Sequence, residues 1–176
     1  MKLFIGCSSS DEIDKKYMDD CINYLHHLLK NNDLVFGAYD KGLMKVCYDL
    51  AKKYNNKIIG IAPKTYQDDL KRLNCDKSII TDSIINRTKE LINECDAIIF
   101  LPGGIGTINE MFSSIDSARS LEINKPIIIY NSCNYYDKLF DFLDKLYLEK
   151  FSSGEIKKYY HVSNSIEDTL SFLNKA

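Results

Sequence analysis

Several short apolar runs in this chain show no alternation of polar and apolar residues. Ala97-Ile98-Ile99-Phe100 and Ile127-Ile128-Ile129 are the clearest. A strand with one face in water alternates, so runs without alternation belong to strands covered on both faces. Between them lie stretches with a different period. Ile84, Ile85, Thr88, Leu91, Ile92 and Cys95 recur at helical spacing, as do Ile108, Met111, Phe112 and Ile115. The pattern predicts strands at Lys2–Gly6, Leu34–Gly37, Lys57–Ala62, Ser78–Thr81, Ala97–Leu101, Pro126–Tyr130 and Tyr159–Val162. It predicts helices at Asp14–Lys30, Gly42–Tyr54, Ser83–Cys95, Thr107–Leu121, Tyr136–Glu149 and Ser165–Asn174. Strands alternating with helices from end to end predict the α/β class: a doubly wound, mainly parallel sheet with helices on both faces, Rossmann-like. With no repeat, linker or low-complexity tract, the 176 residues read as a single domain.

Open parallel sheets bind ligands outside the carboxyl ends of their strands. Three glycine-bearing loops fall at that edge: Gly6 to Ser10, Gly37 to Gly42, and Pro102 to Thr107. The third follows a strongly apolar strand and reads Pro-Gly-Gly-Ile-Gly-Thr, with Glu110 in the first turn of the helix it opens. Glycines let backbone N–H groups approach a ligand, and a helix N-terminus adds unpaired donors and a positive dipole end. The loop therefore suits an anion, most often a phosphate. A carboxylate beside that anion points to chemistry on the molecule carrying it. Plain connection chemistry is the competing reading, because Glu in a first helical turn is also favoured by the dipole. The first two loops, with Ser8 and Gly37, could wall a base or sugar, or could be tight turns and a helix cap. Arg87 lies about one turn into a helix that begins at the same edge. Its planar fork could reach a phosphate or sugar hydroxyls; the alternative is a surface salt bridge to Glu90. Arginine is scarce here, three residues against twenty lysines, which hints at a geometric need.

Composition excludes several classes. Hydrophobic residues at 45% and a net charge of −2, with scattered positive residues, give no footprint for nucleic acid or an anionic membrane. The longest apolar runs are strand-sized, and the N-terminus reads as a first strand rather than a signal peptide, so a cytoplasmic location is expected. Six cysteines show neither zinc-knuckle nor redox-pair spacing. Cys21, Cys47 and Cys95 read as core thiols; Cys7, in the first loop, is either a small buried side chain or a reactive one. His26 and His27 are adjacent on a helix and point differently, and His161 is isolated, so no metal is expected. A Ser-His-Asp set cannot be assembled at the loop edge. The dinucleotide fingerprint also fits poorly, since the first loop lacks its glycine spacing and no acidic residue ends the second strand.

With Pro102-Gly103-Gly104-Ile105-Gly106-Thr107-Ile108-Asn109-Glu110 and the upstream Arg87 in view, the chain resembles the Lonely Guy (LOG) family, whose motif is PGGxGTxxE and whose members are often mislabelled lysine decarboxylases. The likeness covers nearly the whole chain. It includes Gly6 and Ser8, Phe36-Gly37, Gly42-Leu43-Met44, Ile59 to Pro63, Cys95-Asp96-Ala97 and Lys125-Pro126. The resemblance implies a phosphoribohydrolase that cleaves nucleoside 5′-monophosphates, AMP or an N6-prenylated AMP, to free base and ribose 5-phosphate. It implies Arg87 and Glu110 as the catalytic pair, and a phosphate held by Gly103, Gly104, Gly106 and Thr107, with Ser8 and Gly37 at the substrate. It also implies no cofactor and a homodimer with sites near the subunit interface. The chain departs from the family pattern at Ala38 (commonly Gly), at Thr88 (commonly Lys) and at Asp116-Ser117-Ala118-Arg119, positions that help line the family's pocket. The chemistry is reasonable on its own terms. Breaking an N-glycosidic bond builds positive charge on the ribose, which a fixed carboxylate stabilises while orienting water. A carrier of molybdenum cofactor is the competing function; it would need the anion loop but not Glu110. Lysine decarboxylation would need a lysine Schiff base with pyridoxal phosphate, for which no lysine has a partner set.

Overall fold

The computed structural model describes residues 1–152 and 155–175. Among these, seven strands form one sheet in the order β4-β3-β2-β1-β5-β6-β7. They are β1 (Lys2–Gly6), β2 (Asp33–Phe36), β3 (Ile58–Pro63), β4 (Lys77–Thr81), β5 (Ala97–Phe100), β6 (Ile127–Tyr130) and β7 (His161–Ser163). Every neighbouring pair is parallel, so the expectation of a mainly parallel sheet is met in full. The chain winds outward from β1 to β4, then returns to the other side of β1 with β5. That reversal opens a crevice above the carboxyl ends of β1 and β5.

Among the described residues, seven α-helices cover the two faces: α1 (Lys15–Leu28), α2 (Gly42–Lys53), α3 (Gln67–Arg72), α4 (Ile84–Glu94), α5 (Ile105–Arg119), α6 (Asp137–Leu148) and α7 (Ile166–Leu173). Successive strand residues point to opposite faces, which is why the inner strands β3, β5 and β6 are apolar on both, while the edge strands β4 and β7 keep polar residues such as Lys77, Ser78 and His161. Leu3, Ile5, Leu34, Phe36 and Ile99 pack with Tyr24, Leu25, Cys47 and Leu173 on the face of α1, α2 and α7. Phe4, Val35, Ile98, Phe100 and Ile129 pack with Leu91, Met111, Ile115 and Leu143 on the face of α4, α5 and α6. Each fully buried large apolar side chain stabilises the fold by about 1.5–3 kcal/mol. A helix cap contributes typically about 1 kcal/mol, so the caps trim boundaries that burial has already chosen. Asp14, Ser83 and Ser165 cap α1, α4 and α7 by accepting from Lys16, Asn86 and Asp168 N–H groups.

Three details differ from the sequence reading. The short helix α3 was not expected, and β7 begins two residues later, after a 3-10 turn that contains Tyr159. More consequentially, α5 begins at Ile105 rather than Thr107, with Gly104 as its N-cap. Glu110 therefore lies in the second turn, and the dipole preference for a first-turn carboxylate does not account for it.

Candidate active site

A cleft of about 740 Å³ opens above the carboxyl ends of β3, β2, β1 and β5. Ser8, Gly37, Arg87, Gly104, Gly106, Thr107 and Glu110 all line it. Gly103 stands just behind: a Cβ there would lie 2.2 Å from Thr107 Oγ1, so this glycine permits the close fold of the loop onto the helix. Gly104 and Gly106 differ, since a Cβ at either would meet nothing within 4 Å. Their bareness leaves the helix N-terminus open to the cleft.

Helix geometry leaves the N–H groups of Ile105, Gly106 and Thr107 without intrahelical partners. The first intrahelical bond runs from Ile108 N–H to the Gly104 carbonyl at 3.0 Å, and no side chain caps Gly104. The neighbouring α2 also points its N-terminus at the cleft, but protein groups take two of its first-turn donors. Gly42 N–H donates to Asp11 Oδ1 at 2.8 Å, and Met44 N–H to the Ser8 carbonyl at 3.3 Å. The available donors thus converge at α5. Thr107 contributes its N–H rather than its hydroxyl, because Oγ1 donates to the Cys7 carbonyl at 3.1 Å. Ser8 is buried, with its hydroxyl oxygen accepting from Ser10 N–H at 3.1 Å.

Arg87 and Glu110 form an ion pair, Nη2 to Oε1, across α4 and α5. The expected alternative for Arg87, a surface pair with Glu90, is absent among the described residues. The pair is enclosed: the Glu110 side chain is 2% exposed and that of Arg87 13%. Burial pushes the Glu110 pKa up, and the charge and hydrogen bond of Arg87 only partly oppose the shift. Arg87 Nε is buried without a hydrogen-bond partner. A donor left unpaired inside a cleft costs on the order of 1–3 kcal/mol unless a ligand or water takes it. At Gly6 glycine eases a close approach, since a Cβ there would lie 3.3 Å from Glu110 Oε2; one on Gly37 would meet Arg87 Nη1 at an ordinary 3.6 Å.

Cys7 lines the cleft but is not poised to react, since hydrogen bonding to Cys47 and burial hold its thiol well above the ordinary range. Cys21, Cys47 and Cys95 are buried, as expected. The departures from the family pattern separate by location. Thr88 is buried, its hydroxyl donating to the Ile84 carbonyl at 3.2 Å, and Asp116 pairs with Arg119 on an exposed surface. Neither lines the cleft. Ala38 is buried with φ +54°, a left-handed conformation that costs a non-glycine residue roughly 1–2 kcal/mol. Sequence reasoning missed Tyr39, Tyr66, Met44 and Ile84 on the cleft wall, and Asp11 as the cap of α2. Tyr39 was visible inside a glycine-bearing loop; Tyr66 had no such signal.

A family model described as "Possible lysine decarboxylase" matches residues 44–173. The cytokinin riboside 5'-monophosphate phosphoribohydrolase LOG4 of Arabidopsis thaliana is 30% identical over 159 residues, which covers 89% of this chain and 74% of that protein. LOG2 of the same plant, a cytokinin riboside 5'-monophosphate phosphoribohydrolase as well, is 28% identical over 89% of this chain and 75% of its own length. Among solved structures, the molybdenum cofactor binding protein of Rippkaea orientalis superposes with a TM-score of 0.69 at 18% identity, covering 99% of this chain and 95% of that one. The Moco carrier protein of Chlamydomonas reinhardtii gives 0.67 at 16% identity with the same coverage. At these identities the structural likeness speaks for the fold alone. The sequence likeness extends through the glycine loop and Glu110 to the end of α7, and on it the chain belongs to the LOG family.

Proposed function

We propose that this protein is a phosphoribohydrolase that cleaves the N-glycosidic bond of purine nucleoside 5′-monophosphates, releasing free base and ribose 5-phosphate. The observation that carries the reading is the buried Arg87–Glu110 pair set in one cleft with the uncapped N-terminus of α5. The phosphate takes the N–H groups of Ile105, Gly106 and Thr107, where charge-assisted bonds are strongest. The ribose then lies over the ion pair. Water attacks C1′, the bond from C1′ to the base nitrogen breaks, and the proton lost by the water is balanced by the one the base takes up. Glu110 stabilises the cationic sugar and orients the water, and Arg87 holds hydroxyl or phosphate oxygens through the cleft-facing end of its guanidinium. The LOG relatives' activity on cytokinin riboside 5'-monophosphates supports this reading, with N6-prenylated AMP a candidate beside AMP.

Base release from AMP, N6-prenyl-AMP and adenosine, each at saturating concentration, tests the proposal. AMP or its prenyl derivative should be cleaved far faster than adenosine, because phosphate binding energy is used to fix the sugar at the reacting centre. Equal rates with and without phosphate would remove the anchor assigned to α5. Tight nucleotide binding with no base release would favour a carrier instead.

A further inference from the structure

The site parts are ordered along the sheet edge. The uncapped helix follows β5, Glu110 lies over Gly6 at the end of β1, and Arg87 lies over Gly37 at the end of β2. Beyond them, Tyr39 follows β2 and Tyr66 follows β3, and both line the same cleft. Three strand steps separate β5 from β3, roughly 14 Å at the usual interstrand spacing. Anion donors, ion pair and aromatic rings therefore succeed one another in the order of phosphate, sugar and base.

We infer that Tyr39 and Tyr66 are the base-binding residues that take the planar aromatic base at the end of the cleft remote from α5; the inference rests on the nucleotide reading of that cleft. Their rings meet edge to face with centroids 6.4 Å apart, which leaves ring faces available for stacking. The backbone supports the assignment independently. Ala38, immediately before Tyr39, keeps its left-handed φ of +54° although alanine pays for it, and such strain persists where the surroundings hold a neighbour in a required position. Ala38 is wedged against β3, 3.2 Å from where a Cβ on Gly60 would lie. A 2.6 Å ion pair from Lys64 to Asp82 ties the turn bearing Tyr66 to the residues that precede α4. Tyr66 is 47% exposed, so its ring is not committed to the core.

The test compares AMP with ribose 5-phosphate, which lacks the base, by calorimetry, together with steady-state kinetics on AMP. Tyr39→Ala and Tyr66→Ala should each raise Kd and KM for AMP about 10-fold, the usual scale for losing one stacking partner, while the Kd for ribose 5-phosphate stays unchanged. Tyr39→Phe and Tyr66→Phe, which keep the ring, should retain wild-type AMP affinity. An equal loss for both ligands would mean that the tyrosines merely hold the cleft together, and unchanged AMP binding in both alanine variants would remove them from the base site; either overturns the inference. Wild-type protein that binds neither AMP nor ribose 5-phosphate would overturn the nucleotide reading beneath it.

Discussion

Glu110 is a carboxylate whose burial works against its own charge. Desolvation raises its pKa above the ordinary 4.5 despite Arg87, so the native state holds the proton more tightly than the unfolded chain. That contribution to stability is fully present below the unfolded pKa and is lost as pH rises through the folded one. Glu110→Gln has no such titration. The stability difference between variant and wild type, read by denaturant unfolding at a series of pH values, should shift in the variant's favour as pH rises across that window. Turnover should fall by a factor of about 10²–10⁴, typical of losing a positioned acid–base group, with AMP affinity largely kept. Parallel stability curves would contradict the direction of the shift, and near-normal turnover would remove Glu110 from the mechanism. The residue types of this site were legible in the sequence, but their pairing was not. Arg87 and Glu90 are local neighbours that can be read from spacing, whereas Arg87 meets Glu110 only through the angle at which α4 and α5 pack.

At the scale of elements, the start of α5 decides how the anion is met. Gly106 reads as loop because glycine is a poor helix former. In a first turn, however, its N–H is unused by the helix, and its missing side chain exposes that donor. The two residues by which the predicted helix fell short, Ile105 and Gly106, supply two of the three donors. Gly103→Ala tests the junction. Its new Cβ would lie 2.2 Å from Thr107 Oγ1 and 2.6 Å from Thr107 Cβ, on a branched side chain already tied to the Cys7 carbonyl. A cost of about 1–3 kcal/mol in stability is expected, as for other overpacked sites, together with weaker phosphate binding, measured by denaturation and by calorimetry with ribose 5-phosphate. Unchanged values for both would show that the loop can rearrange freely. The missed α3 is a different failure: in six residues only Leu70 is buried, too little for a period to show.

For the molecule as a whole, the layered architecture was legible because strands buried on both faces leave no alternation to misread. Its outer surface was less so. Ile85, Ile105 and Leu121 are 80%, 85% and 88% exposed on or beside α4 and α5, and Ile84, half exposed, also lines the cleft. We expect a homodimer paired through this region. Light scattering at micromolar concentration should give twice the chain mass, and Ile85→Asp should return it to one; a wild-type monomer would contradict the pairing. Another consequence follows from how the loops after β1 and β5 are joined. Leu101 N–H donates to the Gly6 carbonyl at 2.9 Å, Ser8 N–H to the Pro102 carbonyl at 3.0 Å, and Thr107 Oγ1 to Cys7, so loops about a hundred residues apart are stitched edge to edge. They cannot swing as a lid without unravelling the centre of the sheet. The amide hydrogens of Leu101 and Ser8 would thus exchange with solvent only on large-scale opening, while those of Ile105, Gly106 and Thr107 exchange readily until an anion covers them. An anion arriving at this floor would meet donors that were already in place, and its capture would cost the protein little ordering.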